Sequence, residues 1–205
     1  MEEPPKKNIN RQRGNNFERY FCKRAEELGF INPERQPLSG QLFQAKYKSD
    51  ATMSALMPDQ RLLEILISCK CTIKKDHLTF CVEWLEENER FASNVNKIPI
   101  LSFKMGGKPG QKLTVYVVIS HEDFIKITGN DRSIVIVPMK FRGKKQMSFT
   151  KKKLDACRYK NGQPNKIPVS SFIGNEKLYY VFRLEEFHKA IMVTYEKEKT
   201  KKGWF

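Results

Sequence analysis

Three stretches of this chain occur twice in the same order, and no other feature constrains its fold as much. "KIPILSF" at 97–103 returns as "KIPVSSF" at 166–172. "EILISCKC" at 64–71 returns as "IVIVPMKF" at 134–141, which puts Lys140 where Lys70 stands in the first stretch. "VYVVISHEDFIK" at 115–126 returns as "LYYVFRLEEFHK" at 178–189. Like segments at nearly constant spacing indicate an internal duplication. Where the first half has "LTFCVEWLEENERFA", the second has "SFTKKKLDACRYKNG". The second copy lacks a counterpart of the first helix and of the "SDATM" strand, so the repeat is degenerate and incomplete.

The elements follow from periodicity. From Arg13, apolar residues Phe17, Tyr20, Phe21, Ala25 and Leu28 recur at three- and four-residue steps until Gly29. That spacing predicts a helix, which Asn15 or Asn16 can cap. Residues 33–49 contain Pro, Gly and Ser and read as irregular or as a weak hairpin. "DATMSALM" predicts a short strand, "PDQR" a turn, and 62–71 a stronger strand. Residues 78–92 predict an amphipathic helix with Phe80, Val82, Trp84, Leu85 and Phe91 on its apolar side. "KIPILSFKM", the turn "GGKPGQ" and "KLTVYVVIS" follow, then a short helix ending at Gly129. Helices alternating with strands in this order predict an α/β fold, one mixed sheet flanked by helices. The expected organisation is a loose basic arm at 1–12, a main domain at 13–129, the second β-α-β-β-α copy at 130–193, and a basic tail at 194–205.

The charge points to a partner. The chain of 205 residues holds 38 Lys and Arg against 23 Asp and Glu, a net of +15. Such an excess repels itself and attracts polyanions, nucleic acid first and an anionic membrane second. No run approaches the roughly 18 apolar residues of a membrane span. "MEEPPKKNINRQRG" has no apolar core, so a signal peptide is not expected. Five cysteines, an odd number with mostly apolar neighbours, suit reduced thiols in a cytoplasmic or nucleoid setting. Cys69 and Cys71 are too close for the usual zinc pairing, and there are three histidines in all. The chain has neither a phosphate-binding Gly-x-x-x-x-Gly-Lys-Ser/Thr loop nor a Gly-x-Ser-x-Gly elbow.

A metal-dependent phosphodiesterase needs carboxylates to hold Mg²⁺ or Mn²⁺ and a lysine to steady the attacking water or the developing charge. Side chains two apart on a strand share a face, so Ser68 and Lys70 face alike, with Glu64 further back. Asp50 opens the preceding strand, and Glu18 on the first helix can add a ligand. Glu64, Glu83 and Glu86 are the acids available to replace Ser68, but Glu64 is about 13 Å from it along a strand. The lysine-rich "FRGKK" and "FTKKKLDACRYK" suit contact with a phosphate backbone.

"RGNNFERYFCKRAEELGF", "SDATMSAL" and "RLLEILISCK" together resemble the PD-(D/E)xK nuclease superfamily, and within it the archaeal and phage Holliday junction resolvases. The likeness covers about residues 10 to 128. It rests on Arg13, Gly14 and Glu18 for an Arg-Gly-x-x-x-Glu helix, Asp50 for a strand Asp, and Ser68-x-Lys70 for a Glu-x-Lys strand. The resemblance implies a restriction-endonuclease-like sheet and a structure-selective DNA endonuclease acting in recombination or repair. It implies metal at Glu18 and Asp50, and Lys70 beside the water. Ser68 departs from the pattern: a neutral hydroxyl is a poor Mg²⁺ ligand beside a carboxylate. The alternative is a catalytically inactive DNA- or RNA-binding protein of the same fold, a subunit of a nucleoprotein assembly. Arg13, Arg142, Lys144, Lys145, Lys151, Lys152 and Lys153 are the expected contacts to branched or double-stranded DNA. The relatives pair as dimers, so a homodimer or an intrachain pseudo-dimer is expected, with no membrane partner.

Overall fold

A computed structural model describes residues 9–36, 49–56, 62–71, 77–106, 113–129, 134–139, 146–159 and 166–201. In chain order the elements are α1 (Ile9–Glu27), β1 (Ile31–Arg35), β2 (Ala51–Leu56), β3 (Leu62–Lys70), β4 (His77–Cys81), α2 (Glu83–Asn94), β5 (Ile98–Met105), β6 (Thr114–Ser120) and α3 (His121–Thr128). They continue with β7 (Ile134–Pro138), β8 (Gln146–Thr150), α4 (Lys151–Tyr159), β9 (Ile167–Gly174), β10 (Lys177–Arg183) and α5 (Leu184–Lys201).

Eight strands form one mixed sheet in the order β1-β2-β3-β5-β6-β10-β9-β7, and β4 pairs with β8 in a separate ribbon. Most neighbours are antiparallel, but β3–β5 and β7–β9 are parallel. The middle of β3 is buried on both faces, as its unbroken apolar run requires. One core lies on the face covered by α1, α3 and α5. It unites Phe17, Phe21, Phe124 and Phe187 with Ile65, Ile67, Ile100 and Phe182. The other face carries α2, α4 and the ribbon, whose Phe80, Leu85, Phe149 and Leu154 pack on Leu101, Phe103, Tyr116, Phe172 and Tyr179. Alternation along each strand assigns these faces.

The short helix α3 begins and ends as the sequence indicates. The Ser120 hydroxyl accepts from the Asp123 N–H at 3.1 Å, and Gly129 closes the helix at φ 71°.

Several expectations change. The helix expected over 78–92 is a strand, β4, followed by a helix from Glu83, and "SFTKKKLDACRY" divides in the same way into β8 and α4. Each half therefore carries β-β-α-β-β-α rather than β-α-β-β-α. Residues 33–35, from the stretch read as irregular or as a weak hairpin, belong to β1, which pairs with β2 as an edge strand. The first helix starts at Ile9, inside the expected arm, and α5 runs through Lys201, inside the expected tail. The turn "GGKPGQ" lies mostly outside the described residues.

Lys140 also moves. Ile65 pairs with Ile98 in β3–β5, and Ile134 with Ile167 in β7–β9. Counted from the two Lys-Ile-Pro runs, Met139 stands at the place of Lys70. Lys140 is one residue further and lies outside the described residues. A shift of one residue exchanges the faces of a strand.

Candidate functional site

The residues singled out from the sequence come from three elements at one end of the β2–β3 ladder. Asp50 stands just before β2, tied to both neighbouring strands. Its amide donates to the Ile67 carbonyl at 3.0 Å, and its carbonyl accepts from the Gln36 amide at 3.0 Å. Its carboxylate accepts from the Cys69 N–H at 2.7 Å. The acid thus continues the ladder one step beyond the Ala51–Ile67 pair, across from Ser68. A carboxylate held by a backbone donor has a fixed direction and a charge-assisted bond.

Glu18 is buried although charged, on the turn of α1 that also buries Phe17. Its burial is compensated by Arg35, whose Nε donates to Glu18 Oε2 at 2.5 Å. Arg35 Nη2 in turn donates to Asn15 Oδ1 at 2.8 Å. Two thiols register the negative charge of this corner. Burial pushes the Cys22 thiol up to about 11, with Glu18 the next cause. Burial also raises Cys69 well above its usual value, with Asp50 and then Glu18 adding to it. Both carboxylates therefore bear on one thiol, that of Cys69.

Ser68 and Lys70 belong to the opposite face of β3. They pair with Leu101 and Phe103 of β5, which lie in the core beneath α2. The Lys70 amine sits 5.4 Å from the centre of the Trp84 ring on α2, a cation–π contact. These contacts join Glu18 and Asp50 through Cys69 and set Lys70 on Trp84, with the Lys70 charge acting on Cys69 in the opposite sense.

No family model matches this chain, and no curated protein matches it. Among solved structures it is similar to the Holliday junction resolvase Hjc of Archaeoglobus fulgidus, an archaeal hyperthermophile. Identity is 20%, over 49% of this chain and 72% of that chain, with a TM-score of 0.36.

Among the described residues, no three His, Cys, Asp or Glu side chains are grouped closely enough to hold a metal ion. Two carboxylates do share a corner, and both are hard oxygen donors. Mg²⁺ keeps most of its waters and often takes only one or two carboxylates from the protein. A two-carboxylate site fits this donor set; a three-ligand site does not. Two of the candidate replacement acids have other partners. Glu64 pairs with Lys97 at 3.4 Å, and Glu86 accepts a hydrogen bond from Asn175.

Of the expected DNA contacts, Arg13, Lys152 and Lys153 are exposed, while Lys151 is half-buried and bonded to Asp155 at 2.5 Å. Arg142, Lys144 and Lys145 lie outside the described residues. Two cations of the site were missed from sequence. Arg35 lies between Pro33 and Pro37 in a stretch without clear periodicity. Lys104 holds its amine 5.1 Å from the Phe17 ring, on the α1 side of the sheet. Strand alternation from Ile100 was the available signal for it. No helix among the described residues is long and apolar enough to cross a membrane.

Proposed function

We propose that this chain is a metal-dependent, structure-selective endonuclease that hydrolyses phosphodiesters in branched or double-stranded DNA. The observation that carries this reading is the Asp50 carboxylate fixed on the Cys69 amide, between Ser68 and Lys70, with Glu18 bearing on the same residue. In this reading Glu18 and Asp50 hold Mg²⁺ or Mn²⁺, which when bound supplies Lewis-acid stabilisation of phosphate charge. The Cys69 amide fixes the direction of Asp50. Arg35 neutralises Glu18 until a second cation competes for it. Lys70 steadies the attacking water. That water's oxygen bonds to phosphorus as one P–O ester bond breaks, and its proton ends on the leaving oxygen. The net charge of +15 draws the polyanion in, and Arg13, Lys152 and Lys153 offer exposed phosphate contacts.

The test is cleavage of a four-way junction with Mn²⁺. Asp50→Asn and Lys70→Ala are each expected to lower the rate at least 100-fold and to leave junction binding in Ca²⁺ within threefold. Equal loss of binding and cleavage would mean these residues hold the fold rather than the chemistry.

One observation favours the second reading, a silent DNA- or RNA-binding protein: the strand position for an acid holds Ser68, and Glu18 already has Arg35 as its partner. Ser68→Glu decides between them. A wild-type protein that binds but never cuts, made active by Ser68→Glu, is a nuclease fold kept for binding.

The second half is read as a degenerate copy of the first. Ile65 and Ile98 are 33 residues apart across a parallel pair, and so are Ile134 and Ile167.

A further inference from the structure

The contacts between the two halves have a two-fold pattern. Ile98 of the first half and Ile167 of the second are counterparts 69 residues apart, and by that spacing Leu101 corresponds to Ser170. Leu101 pairs with Val118, and Ser170 with Val181, so Val118 and Val181 are counterparts in turn. At the centre of the large sheet, where β6 meets β10, Val118 faces Val181. In the ribbon Thr79 faces Ser148, again 69 residues apart. At both strand contacts the central residue thus meets its own equivalent and the flanking pairs are symmetric about it, as in the isologous interface of a two-fold dimer.

The side chains repeat the pattern. Phe103 stacks on Tyr116 with ring centres 5.2 Å apart, and their counterparts Phe172 and Tyr179 stack at 5.3 Å. Phe80 meets its counterpart Phe149 at 5.3 Å. Each of these two also crosses to the other half, Phe80 to Phe172 and Phe149 to Phe103. The hydroxyl of Tyr116 donates to Asp155 on α4, and that of Tyr179 to Glu89 on α2. Each tyrosine therefore reaches a carboxylate on the other half's helix.

The candidate site has no such counterpart. α1, β1 and β2, which supply Glu18, Arg35 and Asp50, precede β3, but only residues 130–133 separate Gly129 from β7. The counterparts of Ser68 and Lys70 are Val137 and Met139, and Met139 packs against the inter-half core.

We propose that one chain is a complete pseudo-dimer with one equipped half, binding a four-way DNA junction by both halves and incising one strand per encounter. The junction binding and the incision rest on the nuclease reading; the pseudo-dimer stands without them. Light scattering of the full chain bound to a four-way junction, and free, is expected to give one protein chain of 24.0 kDa in each case. A stable dimer in either state overturns the pseudo-dimer. On a supercoiled plasmid extruding a cruciform, with Mn²⁺, open circles are expected to accumulate first. Linear product should fall at least tenfold when competitor junction is added after binding. Linear plasmid formed directly, and insensitive to competitor, overturns the single incision. A monomer that binds the cruciform without cutting overturns the nuclease reading and the incision with it, and supports the pseudo-dimer.

Discussion

Cys22 reports on the site without any turnover. Its thiol is held up at about 11 by burial and then by Glu18, against an ordinary 9.0. Neutralising Glu18 removes the second cause, so Glu18→Gln should lower the Cys22 titration, read by thiolate absorbance. A divalent cation taken up by the Glu18 carboxylate should do the same in the wild type and should add little in Glu18→Gln. A titration unmoved by Mg²⁺ and Mn²⁺ would count against metal at Glu18. The sign for stability follows from linkage. Between pH 9 and 11 the folded thiol keeps a proton that the unfolded one has lost, so stability falls as pH rises through this window. Cys22→Ala should flatten that fall in urea midpoints. At this scale the sequence was informative where groups are close along the chain: Ser68 and Lys70 share a face because they are two apart on a strand. It gave no sign of Arg35, since nothing in "NPERQP" reveals that its guanidinium crosses to α1. Nor did it separate Lys70 from Glu18, because the face of α1 against the sheet is set by packing.

Among the elements, the helices were legible from their apolar steps and stop signals, α3 almost to the residue. The ribbon strands were not. In "LTFCVEWLEE", Phe80, Trp84 and Leu85 are spaced as a helix would space them, so four residues of strand, Leu78–Cys81, were absorbed into the expected helix. Their partner, β8, is about 70 residues away, and pairing at that range leaves no local trace. Helix α2 makes a buried polar contact with the sheet, the Asn88 side-chain amide donating to the Ile100 carbonyl at 2.9 Å. Asn88→Ala leaves that carbonyl without its donor in a dry place, and we expect a loss of about 1–3 kcal/mol in denaturant titrations. Asn88→Asp should cost at least as much at neutral pH, because a carboxylate cannot donate to a carbonyl. An unchanged midpoint in both variants would show that water reaches Ile100 and that this contact does not hold α2.

For the molecule as a whole, the repeated segments suggest a duplication but carry no sign of how the first and second halves share a core. If the halves were separate domains, each would bury its aromatics within itself. Instead Phe149 of the second half stacks on Phe103 of the first and meets Phe80 edge-on, and all three are fully buried. Removing a ring of this kind costs about 3–5 kcal/mol through lost burial and an unfilled cavity, a large part of the roughly 5–15 kcal/mol that holds a typical protein together. The consequence concerns cooperativity as much as stability. Trp84 sits in the first half, so its fluorescence follows that half alone once Trp204→Phe has silenced the other tryptophan. In that background Phe149→Ala should shift the Trp84 transition and the far-ultraviolet circular dichroism transition together, by the same denaturant increment. If the Trp84 midpoint stayed put while the circular dichroism split in two, the halves would fold on their own and their aromatic contact would be a docking surface. A single shifted transition would mean that neither half has a core without the other. A chain ending at Gly129 would then expose Phe80, Phe103 and Tyr116, and the second half would be held in the molecule by that demand even with no chemistry of its own.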